Sequence, residues 1–160
     1  RTKFDHVFDD MKGNSAIGCI SDFDPQPLLI RSNLGTYAIC FVGMINNSSS
    51  LIDRYLSFSG GHFNSMTGGN VNSTELVAAL INQKSDFVEG IRFAQREIEG
   101  TASIIILRDN GYIIAARDRL GRIPVSIGRS EDGYCLSFEN LAYKKLGFET
   151  CTFFTEKQSP

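Results

Sequence analysis

An α+β fold built on antiparallel sheet is what this 160-residue sequence predicts, and three observations predict it. The tripeptide Asp109-Asn110-Gly111 separates two apolar runs, ASIIILR and YIIAARD, as the turn of a β-hairpin does. The helical periods are grouped in the middle of the chain, whereas a parallel sheet needs a helix after each strand. Neither a G-x-G-x-x-G after a strand nor a G-x-x-x-x-G-K-[ST] is present, which argues against a nucleotide-binding Rossmann or P-loop fold.

In chain order, Ala16–Ile20, Leu28–Arg31 and Tyr37–Ile45 are short apolar runs bounded by GNS, DFDPQP and SNLG, and read as three strands. Ser48–Ser50 is expected to cap a helix reaching Phe58, because Leu51, Ile52, Tyr55 and Leu56 recur at helical spacing. SGGHFNSMTGGN then reads as a turning segment. Asn72 with Glu75 three residues on predicts a capping box before Leu76, Val77, Leu80 and Ile81. Ser85 is expected to cap a third helix whose Phe87, Val88, Ile91, Ala94 and Ile98 form an apolar stripe opposite Glu89, Arg92, Arg96 and Glu97. After the Asn-Gly hairpin, Pro124–Arg129 and Tyr134–Phe138 read as a second hairpin joined by SEDG. A short helix, Glu139–Leu146, stops at Gly147.

Composition excludes several classes. With 42% apolar and 21% charged residues the chain suits one domain with its own core. A formal net charge of -2 without a dense Lys/Arg run makes nucleic acid an unsuitable partner. No apolar stretch is long enough to span a bilayer and no signal peptide is visible, so no membrane partner and a cytoplasmic location are expected. Cys19, Cys40, Cys135 and Cys151 lie far apart, and are expected to be reduced and buried. Only His6 and His62 are available and neither is spaced to join a cysteine or carboxylate, so no metal site is expected. The acid pairs Asp9/Asp10 and Asp22/Asp24 suit turns better than acid–base chemistry. Arg117, Arg119, Arg122 and Arg129 surround a turn with Gly121 and Pro124. A phosphate clamp there needs a helix N-terminus or a nest of backbone amides, and neither is predicted, so the segment reads as a rigid connection.

Taken together, KGNSAIG (Lys12–Gly18), PQP (Pro25–Pro27), the strand ending near Gly43, NSTELVAALI (Asn72–Ile81), EGTASIIIL, and AARDRLGRIPVSIGR followed by DGYCLSFEN resemble, in the same order, the glutaminase domain of amidophosphoribosyltransferases. The resemblance runs from about Phe4 to Glu149. It implies an N-terminal-nucleophile (Ntn) hydrolase fold, a four-layer αββα sandwich of two antiparallel sheets, whose N-terminal strands lie outside this chain. It also implies that residues 1–160 are a glutaminase-like fragment of a longer two-domain protein of purine biosynthesis. The partners implied are a phosphoribosyltransferase domain of the same protein, glutamine or another small molecule, and further copies of the protein. No cofactor is implied in this domain.

In that family an N-terminal cysteine attacks glutamine, its own α-amino group serving as base. The leading cysteine strand has no counterpart here. The family's G-H-x-R-Y-[SA]-T motif, whose arginine holds the glutamine carboxylate, reads Gly18 to Asp24, with Ser21 at the arginine position. Its H-N-G motif, part of the oxyanion hole, reads Phe41, Val42, Gly43, and only the backbone donor of Gly43 carries over. The acid of its D-[ST]-E motif, which holds the substrate amino group, is Ser73. Ser21, Val42, Gly43 and Ser73 are therefore expected to mark a degenerate glutamine pocket, with Asp22 and Asp24 as ligands of whatever the vacated space takes. No catalytic residue is assigned within the chain. Two alternatives stay open: an active glutaminase whose nucleophilic cysteine lies upstream and which supplies ammonia to phosphoribosyl pyrophosphate, and a small-ligand binding module.

Overall fold

The computed structural model describes residues 12–151. Strand β1 (Leu28–Ser32) turns at Asn33-Leu34 into the long β2 (Gly35–Ile45). The Leu34 N–H donates to Ser32 Oγ at 3.1 Å, and Gly35 supplies a φ of 99°. Helix α1 (Ser48–Ser59) and a two-residue hairpin, β3 (Met66–Thr67) with β4 (Asn70–Val71), come next. Helices α2 (Ser73–Ile81) and α3 (Phe87–Glu97) then lead into strands β5 (Gly100–Arg108) and β6 (Ile113–Ala116). Strands β7 (Ser126–Ser130) and β8 (Gly133–Ser137), helix α4 (Asn140–Lys145) and strand β9 (Glu149–Cys151) complete the described chain.

The larger sheet has the order β1-β2-β5-β6 and the smaller β8-β7-β9, every ladder being antiparallel. The register places Ile39 opposite Leu28 and Ile106, and Phe41 opposite Ile104, so these side chains share one face. Against that face packs α2, whose Leu76, Val77, Leu80 and Ile81 are all buried, followed by Ile91 and Ala94 of α3. Each such aliphatic side chain withdrawn from water stabilises the fold by about 1.5–3 kcal/mol. Tyr37 closes the end of this core, its ring edge-on to Phe87 at 5.1 Å and its hydroxyl donating to Asn82 Oδ1 at 2.9 Å. The smaller sheet carries its own helix, α4. That helix ends in a Schellman turn, with the Phe148 N–H donating to the Tyr143 carbonyl and the Gly147 N–H to that of Lys144, and Gly147 at φ 81°. Tyr143 drops onto Gly128 of β7, where an added Cβ would lie 2.7 Å from its ring.

Several expectations are corrected. Ala16–Ile20 forms no strand: no residue of it joins a ladder among the described residues. Helix α1 starts after Asn47, and Ser48–Ser50 are its first turn; the Asn47 side chain instead bonds the Glu97 carbonyl and the Glu99 N–H, tying α1 to the end of α3. Asn72 caps α2 as expected, but Glu75 does not close a box, because its carboxylate accepts from Asn64 and Ser65 while the Asn72 N–H donates to Ser65. Asp86, one residue later than Ser85, caps α3 by accepting from the Glu89 N–H at 2.9 Å.

At the Asp109-Asn110-Gly111 turn only Gly111 has positive φ (83°), while the Asn110 side chain accepts from the Tyr112 N–H. Strand β7 begins at Ser126 because Pro124 has no N–H to give a ladder. Strand β9 and the β3–β4 hairpin are additions; Gly68 and Gly69, both at positive φ, make that hairpin's turn. All four cysteines are free, but only Cys40 is buried. His6, Asp9 and Asp10 lie outside the described residues.

Candidate functional site

Of the six positions singled out, Asp24 and Ser73 meet where the connecting segment Gly18–Gln26 passes the start of α2. A helix start exposes N–H groups with no intrahelical acceptor. In α2 the first three are taken by side chains: Ser73 N–H donates to Asp24 Oδ2 at 3.0 Å, and Thr74 and Glu75 N–H both donate to Asn72 Oδ1, at 2.8 and 3.2 Å. The carboxylate of Asp24 also meets the positive end of the helix dipole. Asn72, itself buried, returns a hydrogen bond from Nδ2 to the Pro25 carbonyl at 3.0 Å.

Gln26 ties this corner to the sheet. Its Oε1 accepts from the Phe41 N–H at 2.9 Å and from Thr74 Oγ1 at 3.2 Å, so one amide oxygen joins β2 to α2. Beside it, Val42 stands opposite Ser103 and Gly43 opposite Ala102. A Cβ at Gly43 would lie 2.0 Å from the Thr101 carbonyl oxygen, so no side chain fits there. The structure thus joins Asp24 directly to Ser73 and links both, through Gln26, to the strand carrying Val42 and Gly43. Ser21 and Asp22 lie on the same segment, exposed and making no hydrogen bond among the described residues. Gln26 escaped the sequence reading; its place between two prolines marks a constrained backbone but says nothing of which groups it holds.

The basic turn gives a correction. A nest of amides does form there, and its anion is the chain's own Asp118. Oδ1 accepts from the Leu120 N–H at 2.7 Å and Oδ2 from the Ile123 N–H at 2.8 Å, with Asp118 almost fully buried. Burial alone would push this carboxyl up, but the Ile123, Leu120, Arg122 and Gly121 N–H groups outweigh it and hold its pKa below the ordinary value. Arg117, Arg119 and Arg122 are exposed on the loop of a nest that is already filled, while Arg129, also exposed, lies on β7 with its guanidinium over the Tyr134 ring.

His62 is exposed in its loop. Among the described residues no three His, Cys, Asp or Glu side chains gather as a metal site would require, and no helix is long and apolar enough to cross a membrane. A cavity of about 560 Å³ lies elsewhere, between α1, α2 and α3, lined by Leu51, Tyr55, Phe58 and Phe93 and by the ion-paired Arg54 and Glu97. None of the six positions lines it.

Comparison with known proteins gives this corner a context. The glutamine amidotransferase domain family matches residues 14–142. An amidophosphoribosyltransferase of Methanocaldococcus jannaschii is 35% identical over 124 residues, which is 78% of this chain and 26% of that protein. One from Archaeoglobus fulgidus is 27% identical over 153 residues, 91% of this chain and 33% of that protein. Among solved structures, glutamine phosphoribosylpyrophosphate amidotransferase from Bacillus subtilis, complexed with ADP and GMP, superposes with a TM-score of 0.67 at 26% identity, over 80% of this chain and 27% of that one. The chain thus spans a quarter to a third of the length of these relatives. Its α+β architecture of antiparallel sheets with separate helical layers is the Ntn-hydrolase arrangement of those neighbours. With its family signature across most of its length and the same fold, the chain belongs to the class II glutamine amidotransferase domain family.

Proposed function

We propose that this domain is the glutaminase-like part of a longer amidophosphoribosyltransferase-related protein, and that it serves a structural or regulatory role beside a phosphoribosyltransferase domain without hydrolysing glutamine itself. The observation that carries this reading is the bond from the Ser73 N–H to Asp24. Where the family is expected to present an acid to the substrate amino group, this chain has a serine whose backbone is engaged by a carboxylate from its own connecting segment. The neighbouring donors of α2 and the Phe41 N–H are likewise bonded internally. Polar groups satisfied by the scaffold are not free to orient a ligand without breaking those bonds.

The replacements at Ser21 and Val42 act in the same direction. Loss of one oxyanion-hole side chain costs about 10²–10³ in rate. Loss of a bidentate guanidinium removes the contact that would fix the substrate carboxylate. The domain requires no cofactor for this role.

The test uses the full-length protein with its natural flanking sequence, assayed for glutamate release from glutamine and for labelling by a diazoketone analogue of glutamine. No release above background and no stoichiometric label are expected. Turnover in the ordinary enzyme range, on the order of 1–10³ s⁻¹, or one label per chain would overturn the reading in favour of an active glutaminase.

A further inference from the structure

We propose that Cys19 and Cys40 form a redox-active dithiol, which closes into a disulfide by exchange with a small oxidised thiol and staples the Gly18–Gln26 segment to β2. This inference stands whether or not the domain hydrolyses glutamine.

Three features of the structure carry it. Cys40 lies on β2 between Ile39 and Phe41, and alternation turns its side chain to the sheet face opposite the helical core. On that side its thiol donates to the Gly18 carbonyl at 3.8 Å, the group bonded directly to the Cys19 nitrogen. The Cys19 thiol, in turn, donates to the Ile20 carbonyl at 3.5 Å, and each of the two sulfurs perturbs the ionisation of the other. Neither cysteine is in a disulfide.

The surroundings assign different roles to the two sulfurs. Cys19 is partly exposed, and although burial raises its pKa, the Cys40 thiol stabilises its thiolate and opposes that rise. Cys40 is buried, and burial together with the Cys19 sulfur pushes its pKa up to about 12. Cys19 is therefore the sulfur that ionises first and meets reagents from solvent, and Cys40 the one that resolves. The Cys19 thiol gives up its proton and its sulfur attacks one sulfur of the reagent disulfide; the S–S bond breaks, and the departing thiolate takes up a proton. The Cys40 thiol then gives up its proton and attacks Cys19 Sγ of the mixed disulfide, expelling the second thiolate, which is protonated in turn. Two protein thiols are oxidised and one small disulfide is reduced to two thiols.

Closure would anchor to β2 the stretch that bears Ser21, Asp22 and Asp24, so the corner at the start of α2 would be held in place covalently as well as by Gln26. Cys135 and Cys151 supply a built-in comparison. They stand opposite adjacent β7 residues, Gly128 and Ile127, and adjacent positions face opposite sides of the sheet.

The experiment incubates the full-length folded protein with oxidised glutathione, traps free thiols by alkylation and maps the unreduced digest by mass spectrometry. A peptide linking Cys19 to Cys40 is expected, with a rise in melting temperature that dithiothreitol reverses. In Cys40→Ser, Cys19 is expected to accumulate as a glutathione mixed disulfide, and in Cys19→Ser, Cys40 is expected to stay reduced. Recovery of Cys19 and Cys40 as two free thiols or as two separate mixed disulfides would overturn the proposal, as would Cys135 or Cys151 linking in preference.

Discussion

The Asp118 N–H donates to Ser103 Oγ at 3.0 Å, and the same hydroxyl donates to the Ile123 carbonyl at 3.3 Å, so one fully buried serine of β5 clamps both ends of the loop that folds around the Asp118 carboxylate. Replacing that carboxylate with an amide turns one acceptor into a donor facing another donor. Asp118→Asn is therefore expected to lose about 2–3 kcal/mol, read by urea unfolding at neutral pH. The pH dependence has a definite sign. A carboxyl whose pKa is lower folded than unfolded adds stability that is complete above the unfolded value, about 3.9, and vanishes as the pH falls through the folded value. The gap between the two proteins should close on acidification below that range; a gap that stays constant would mean Asp118 acts through shape and not charge.

Gln26 offers a second test. Gln26→Ala leaves the Phe41 N–H and the Thr74 hydroxyl without their shared acceptor, at an expected cost of about 1–3 kcal/mol. Amide hydrogen exchange supplies a local signature, since exchange at Phe41 should accelerate far more than at Ile39 in the same strand. Equal acceleration at both would show that only global stability had changed.

At Gly43 the prediction rests on space. A methyl group there overlaps the Thr101 carbonyl oxygen, which belongs to a paired strand and cannot rotate away. Gly43→Ala should destabilise by about 1–3 kcal/mol or more, seen as a lowered thermal midpoint. An unchanged midpoint would mean that β2 and β5 can separate locally at no cost.

Tyr37 carries an alkaline counterpart to Asp118. Burial raises its pKa to about 12. An acid whose folded pKa is raised contributes fully below its unfolded value, about 10, and loses that contribution as the pH climbs toward 12. Wild-type stability should fall over that interval more steeply than that of Tyr37→Phe, and parallel curves would rule out Tyr37 as the cause.

The parts of this fold legible from sequence are those that repeat. Strands β2 and β5 and helix α2 hold their apolar periods over several turns or alternations, and Asn72 stands where a cap must. Strand β9 has three residues, too few for any period to show. Ala16–Ile20 is as apolar as a strand, but composition cannot supply the neighbour a ladder requires. The candidate corner was visible only as separate positions. Asp24 and Ser73 are 49 residues apart, and nothing local in either stretch announces their bond. The Asp118 nest was hidden for another reason: its donors are backbone groups, present at nearly every residue and meaningful only once a loop bends them toward one point.

The fit of Tyr143 over Gly128 has a consequence for how the molecule comes apart. Besides its two ladders, the smaller sheet is covered at Gly128 by the Tyr143 ring with Phe148 beside it, whereas the larger sheet is locked by rows of interleaved aliphatic groups. The two halves should not melt in unison. Under mild denaturant a protease would nick the strands around Tyr143 first and leave the β2–β5 layer as a resistant kernel.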